Sequence, residues 1–379
     1  MDTCLNCTEV CMVLSSPESS LLWNQHLDVT LAKIGFKRSK NDPCVYFKIF
    51  GPNNVLLLAV VVDDILAAAT TTTSLSWLAQ HLRAVYKITD LGQPAFLVGL
   101  SICRTPQGVS INQNQFVRDL AKTFGQQNCN PVPTPATPGD VPDNASPLLP
   151  PGHRYLSLVG SLLWCTITRP DIAVAVAIAC TKSIRPTQAD WNAAVRILRY
   201  LLHTAAHQLC YTAANAVTPT IAVWTDSAWG NAPKSRSRYG YAVCVLGNPV
   251  LWEAKVTTMV CLSTAEAEYY AAVQAAKSAL WIAHLVSEVT STAVPTVVIY
   301  EDNAACVQMA TNPVVSARNR HFSMRMWWLR DQVTAKAVTF VQVPSASQVA
   351  DIFTKVLPAP AFLLLRDLLF AKAPLYYSK

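Results

Sequence analysis

Apolar positions recur along this chain with two different periods, and the switches between them mark out its elements. In LWNQHLDVTLAKIGF, residues 22–36, Trp23, Leu27, Leu31 and Ile34 share one face at helical spacing, which predicts an amphipathic helix. CVYFKIF and VLLLAVVV follow as two strand-like runs parted by the turn residues GPNN, and predict a hairpin feeding Asp63 and Asp64. A helix near 73–86, strands in LGQPAFLVGLSICRT and GVSINQ, and a helix in QFVRDLAKTF complete the first stretch. From Asn128 to Gly152 the chain is dense in proline (NPVPTPATPGDVPDNASPLLPPG), which predicts a semi-rigid, extended linker. Helical patterns return in LSLVGSLLWCTIT, after Pro170, and in QADWNAAVRILRYLLHTAA, where Trp191, Val195, Leu198 and Leu202 form the expected buried face. From about residue 218 the order becomes strand, strand, strand, helix, strand, helix, so the fold class is α/β.

Composition narrows the class of protein. The 379 residues leave room for two to three domains, each with its own core. Hydrophobic residues make up 51% and charged residues only 14%, yet the apolar run Val55–Val62 stops at Asp63. That is far short of the roughly 20 residues a membrane helix needs. The start, MDTCLNCTEV, carries no basic segment followed by an apolar one, so the expectation is an intracellular protein of cytoplasm or nucleus, without a membrane partner. The 12 cysteines are scattered, as reduced buried thiols are. Cys4, Cys7 and Cys11 cluster but lack a fourth ligand, and read as a ragged terminus. A net charge of +7 suits a polyanionic partner, with Lys234, Arg236 and Arg238 in one loop and Arg318, Arg320, Arg325 and Arg330 in another region.

Four carboxylates carry the candidate chemistry. Asp226 in AVWTDSAWG and Asp302 in VVIYEDNAA each close a β-branched run, while Glu268 in LSTAEAEYYAA and Asp351 in QVADIFTKVL stand in sequence that reads as helical. Such a set can converge on one point, as a two-metal phosphodiesterase requires, with divalent ions about 4 Å apart clamping the attacking and leaving oxygens. Glu266 lies about 200° round the helix from Glu268 and cannot enter the same cage, so it reads as a surface or supporting group.

The words around these acids go further. TDSAWG, SRSRYGYAV, LSTAEAEYYAA, IYEDNAA, RNRHFSMR and ADIFTK come in the order seen in the ribonuclease H domain of copia-type retrotransposon Pol polyproteins, which this part of the chain resembles. Upstream, VVVDDIL, VGSLLW with TRPDIA, and RILRYLLHT resemble the end of the reverse transcriptase and the segment joining it to ribonuclease H. The resemblance spans about residues 22–370. It implies an α+β reverse transcriptase palm and thumb remnant over 1–127, the Pro-rich linker at 128–152 and a helical connection at 153–215. A ribonuclease H-like mixed sheet flanked by helices would occupy 216–358, and a C-terminal helix and tail 359–379. It further implies that Asp226, Glu268, Asp302 and Asp351 hold two Mg²⁺ or Mn²⁺ ions, that His321 assists, and that Lys234, Arg236, Arg238 and Arg320 meet nucleic acid. The implied reaction is attack of a metal-activated water on RNA within an RNA–DNA hybrid, leaving a 5′-phosphate and a 3′-hydroxyl.

Departures from the family pattern shape the expectation. Asp63 and Asp64 match the paired aspartates of the polymerase hairpin, with Val61 at the family's tyrosine, but that chemistry needs a third aspartate on an earlier strand. Asp2, Asp28 and Asp42 do not fit, and VCMVLSSPESSLLW lacks the family's glycine and lysine, so the expectation is a truncated polyprotein without polymerase activity. Ser323 and Trp327 stand at a family acid and histidine, and Ala228 at a family aspartate, changes expected to slow the nuclease rather than abolish metal binding. A non-catalytic nucleic-acid-binding remnant and an inactive product without a stable fold are the alternatives.

Overall fold

The computed structural model describes residues 8–14, 20–106, 108–139, 146–212, 220–312 and 323–370. The chain divides into two compact units: residues 1–98 with 281–295, and residues 99–280 with 296–379. No helix among the described residues is long and apolar enough to cross a membrane.

The first unit runs β1 (Thr8–Leu14), α1 (Ser20–Lys33), β2 (Lys37–Arg38), β3 (Val45–Gly51), β4 (Asn54–Val61), β5 (Asp64–Ala69), α2 (Thr72–Arg83), β6 (Ile88–Asp90) and β7 (Phe96–Leu97). Its six-stranded sheet has the order β2-β3-β4-β5-β1-β6, with β3, β4, β5 and β1 antiparallel. The expected hairpin is present, turning at Asn53 in the left-handed region. Alternation places Leu56, Leu58 and Val60 of β4 with Ile65, Ala67 and Ala69 of β5 on one buried face. Trp23, Leu27 and Leu31 of α1 and Leu75, Leu78 and Leu82 of α2 cover that face, as helical spacing predicts.

The second unit opens with β8 (Leu100–Thr105), β9 (Gly108–Asn112) and α3 (Asn114–Thr123), continues through α4 (Tyr155–Cys165), α5 (Ala173–Cys180) and α6 (Gln188–His203), and reaches β10 (Leu209–Thr212). Thr187 starts α6 with a reciprocal cap, its hydroxyl accepting from the Asp190 amide while the Asp190 carboxylate accepts from the Thr187 amide. The buried stripe of α6 differs from the expected one. Ala194, Ile197, Leu198 and Leu201 are buried, whereas Trp191, Val195 and Leu202 are half-buried, because α6 meets α3, α4 and α5 together. The described part of the proline-dense segment has no helix or strand, and it is pinned to α6. Arg196 donates to Thr134 O at 3.1 Å and Arg199 to Asn130 O at 3.0 Å.

After β10 the unit continues through β11 (Ile221–Ala232), β12 (Arg236–Val245), β13 (Asn248–Val256), α7 (Thr264–Thr290), β14 (Val297–Glu301), α8 (Ala304–Thr311), α9 (Ser323–Thr334), β15 (Val338–Gln342) and α10 (Ala359–Leu369). The last ten residues of α7 belong to the first unit. Five strands form one mixed sheet in the order β13-β12-β11-β14-β15, antiparallel from β13 to β11 and parallel from β11 to β15. The α/β class and the mixed sheet are as expected. Two details differ: VTFVQ adds a parallel edge strand, and Asp351 sits in a 3₁₀ turn, Val349–Phe353, rather than an α-helix. Only five residues long, the turn bonds at three-residue spacing, Asp351 N to Gln348 O and Thr354 N to Asp351 O, and Pro358 follows closely.

Candidate active site

Strand register sets the first two acids side by side. In the parallel pair β11/β14, Trp224 lies opposite Tyr300, and their rings stack with centroids 4.7 Å apart. Two residues further along each strand come Asp226 and Asp302, just past the end of this parallel pairing: Asp302 follows the last residue of β14, whereas Asp226 is midway along β11 and not at the strand end expected from sequence. The run Glu301-Asp302-Asn303 then divides its labour. Glu301 ends β14 fully buried and accepts from the Asn303 amide at 3.1 Å, while Asn303 caps α8 by accepting from the Cys306 amide at 3.0 Å. Asp302 between them is left to face the site.

Helix α7 supplies Glu268. Its start is fixed by Ser263, whose hydroxyl accepts from the Glu266 amide at 3.1 Å, and by Glu266, whose carboxylate accepts from the Leu262 amide at 2.6 Å. Glu266 is therefore a buried cap, the supporting rather than the surface one of the two roles expected from sequence. Glu268, two residues on, points elsewhere, and single oxygens of Asp226, Glu268 and Asp302 lie within 4.8 Å of one another.

Asp351 arrives from the other direction, on the 3₁₀ turn. Its Oδ1 accepts from Lys355 Nζ at 2.6 Å, and the same ammonium lies 3.3 Å from Asp226 Oδ1. Thr354 donates its hydroxyl to Asp226 Oδ2. The 349–355 segment can come this close because position 240 is glycine. A Cβ there would collide with Phe353 Cβ and stand 3.2 Å from the Phe353 carbonyl carbon. Asp226 lies directly opposite Gly240 in the β11/β12 pair.

The site is strongly electronegative and poorly solvated. Asp226 is 1% exposed, Glu268 7% and Glu301 0%. Burial, then the charges of Glu301, Asp226 and Asp302, pushes the Glu268 carboxyl up to about 11. Burial likewise lifts Glu301 well above the usual carboxylate range. Asp351 rises to about 6 through burial and Asp226, against the pull of Lys355. Burial opposes the charge on Lys355, but Asp226 and Asp351 outweigh it and hold the ammonium above its ordinary range. Glu268 Oε2 and Glu301 Oε2 are buried without a hydrogen-bond partner. Buried acceptors of this kind are costly and rare. Hard oxygen donors converging on one point, with lone pairs to spare, suit a divalent cation such as Mg²⁺.

The hairpin of β11 and β12 forms the rim. Its pairing is irregular between Ala228 and Ala232, and it carries Trp229, 50% exposed, whose indole Nε1 donates to Cys261 O at 2.8 Å. Lys234 is exposed at the tip and Arg236 half-buried. Arg238 departs from the expected phosphate-facing loop: it is 3% exposed within β12, where burial lowers its pKa. From Ser237 onward β12 is buried on both faces, and Arg238 lies inside that stretch. Arg330 is also buried and donates to Met309 O at 2.8 Å, while Arg325 lies over the Tyr270 ring. Arg318, Arg320 and His321 lie outside the described residues.

Asp63 and Asp64 belong to the first unit, at the β4/β5 turn. Asp63 is exposed and Asp64 half-buried. Val62 beside them adopts φ 55°, and its carbonyl accepts from Trp23 Nε1 at 2.9 Å. Among the described residues, no cluster of three ligand side chains includes either aspartate. Sequence reasoning overlooked Glu301, Thr354 and Lys355. Glu301 looked like an ordinary strand residue, whereas Lys355 was signalled by its place one turn after Asp351.

Residues 15–138 match the family model described as reverse transcriptase (RNA-dependent DNA polymerase). The chain is 29% identical over 360 residues to the retrovirus-related Pol polyprotein from transposon TNT 1-94 of Nicotiana tabacum, covering 91% of this chain and 27% of that protein. It is 31% identical to the putative transposon Ty5-1 protein of Saccharomyces cerevisiae, covering 67% of this chain and 83% of that protein. The chain belongs to the copia-type retrotransposon Pol family. This Pol chain spans about a quarter or less of the length of the plant Pol polyproteins it matches. Among solved structures it is similar to LC11-RNase H1, isolated from compost, at 14% identity and a TM-score of 0.29, covering 36% of this chain and 92% of that one. In this Pol chain the reverse transcriptase match includes the Asp63-Asp64 hairpin and stops before the acidic cluster.

Proposed function

We propose that residues 216–358 form a ribonuclease H-type endonuclease that cuts RNA in RNA–DNA hybrids. The observation that carries this reading is the convergence of the buried Asp226 and Glu268 with the half-buried Asp302, where Glu268 Oε2 has no hydrogen-bond partner, beside Asp351. Two Mg²⁺ or Mn²⁺ ions held by these acids would make a bound water nucleophilic and stabilise the leaving oxygen. The protein's own part is to fix the acids on a rigid sheet and helix, so that little reorganisation is needed when charge develops. The β11/β12 hairpin supports a nucleic-acid partner, with Lys234 and Arg236 for phosphate and Trp229 as an aromatic surface near the acids. We give the exposed Asp63-Asp64 hairpin of the palm-like residues 1–127 no reaction of its own.

The test is incubation with an end-labelled RNA–DNA hybrid and Mg²⁺ or Mn²⁺ beside an Asp302→Asn variant. Metal-dependent cleavage of the RNA strand, lost in the variant, is the expected result. Salt-sensitive hybrid binding without cleavage, from a protein that unfolds cooperatively, would replace this reading with a binding one.

A further inference from the structure

The four acids are not equivalent. Asp226, Glu268 and Asp302 bring oxygens within 4.8 Å of one another, with Glu268 Oε2 unpartnered, whereas Asp226 and Asp351 share the Lys355 ammonium at 3.3 Å and 2.6 Å. The 2.6 Å contact is a charge-assisted hydrogen bond and the 3.3 Å contact a looser ion pair, and together they put a positive charge between two carboxylates that a second divalent ion would bridge. The ammonium is delivered locally, by a residue four positions after Asp351, with Thr354 fastening the same segment to Asp226. It is also removable. The Lys355 side chain is 41% exposed, against 2% for Asp226 and 20% for Asp351, and four flexible carbons let it swing into water.

We infer that Lys355 is a built-in stand-in for the second cation, so that the resting site binds one metal ion at Asp226, Glu268 and Asp302, and a second enters only by displacing the ammonium from Asp226 and Asp351. The arrangement makes physical sense for a buried acid cluster. Asp351 and Asp226 never face each other without a cation between them, and the second ion binds weakly until something else, such as a phosphate, helps to hold it. This inference rests on the nuclease reading and deepens it.

The experiment is a Mn²⁺ titration of the full chain without nucleic acid, followed by electron paramagnetic resonance and calorimetry, for the parent and for Lys355→Met, Lys355→Gln, Lys355→Arg and Asp302→Asn. In the parent one ion should bind first and the second much more weakly. Lys355→Met should tighten the second ion by about tenfold or more, the scale on which groups around metal ligands act. Lys355→Gln provides the same neutral arm should the methionine variant unfold, and Lys355→Arg, which keeps the charge, should bind like the parent. Equal second-ion affinity in the parent and both neutral variants would overturn the inference while leaving the nuclease reading intact. Absence of any Mn²⁺ binding that Asp302→Asn removes would overturn both.

Discussion

Two sets of aspartates have opposite surroundings in this chain. Asp63 and Asp64 sit at a two-strand turn, exposed and half-buried, with no third acid gathered beside them among the described residues. Asp226 and Asp302 lie where the parallel pairing of β11 and β14 ends, with the charges of Glu268, Glu301 and Asp351 close by. Both sets bear family motifs. What separates them is that the second crowds buried carboxyls together and leaves Glu268 Oε2 and Glu301 Oε2 without hydrogen-bond partners, as a site awaiting a cation would.

The comparison breaks most sharply on catalysis. Asp226→Asn or Asp302→Asn should lower hybrid cleavage by about 10³-fold or more, the several kcal/mol that metal assistance supplies. Asp63→Asn with Asp64→Asn should leave the rate within about twofold, as surface changes do. Equal losses in both would dissolve the distinction. Next comes Gly240→Ala, where the added methyl meets Phe353; it should cost about 1–3 kcal/mol by overpacking and weaken Mn²⁺ binding as well. Denaturant unfolding and metal titration read the two effects separately.

Acidity sharpens the contrast further. Glu268 has its pKa raised from 4.5 to about 11, so in the metal-free protein its protonated form is favoured by folding. Stability from that group is fully present below its unfolded pKa and falls as pH rises towards about 11. Glu268→Gln should therefore stabilise the metal-free protein at pH 9 by on the order of 1–3 kcal/mol and flatten the slope of stability against pH. With saturating Mg²⁺ the parent should regain the advantage, because the ion binds the carboxylate form. Thermal unfolding across pH, with and without metal, checks this. The smallest effect belongs to the first unit: Val62→Gly should stabilise it by about 1 kcal/mol, since a β-branched residue at φ 55° is strained.

Much of this was legible in the residues. Helical spacing identified the buried face of α1, and β-branched runs ending in aspartate identified β11 and β14. The buried stripe of α6 shifted because three neighbours, invisible to a local pattern, share its surface. Helical spacing kept Glu266 out of the cage, and Ser263-x-x-Glu266, a helix-start signal, decides between its surface and supporting roles by making it a cap. Lys234, Arg236 and Arg238 are neighbours in sequence, but Arg238 lies within the part of β12 that is buried on both faces, which a local pattern does not show. Glu301 and Lys355 escaped because their roles depend on charges brought from other segments of the chain.

The close approach at Gly240 has a consequence for reading related sequences. A relative could keep every acid of this cluster and still lose the geometry through one added methyl on a strand that carries no acid of the site. An inventory of carboxylates alone would miss such a loss. The hydrogen atom at position 240 is as informative a marker as any of the oxygens.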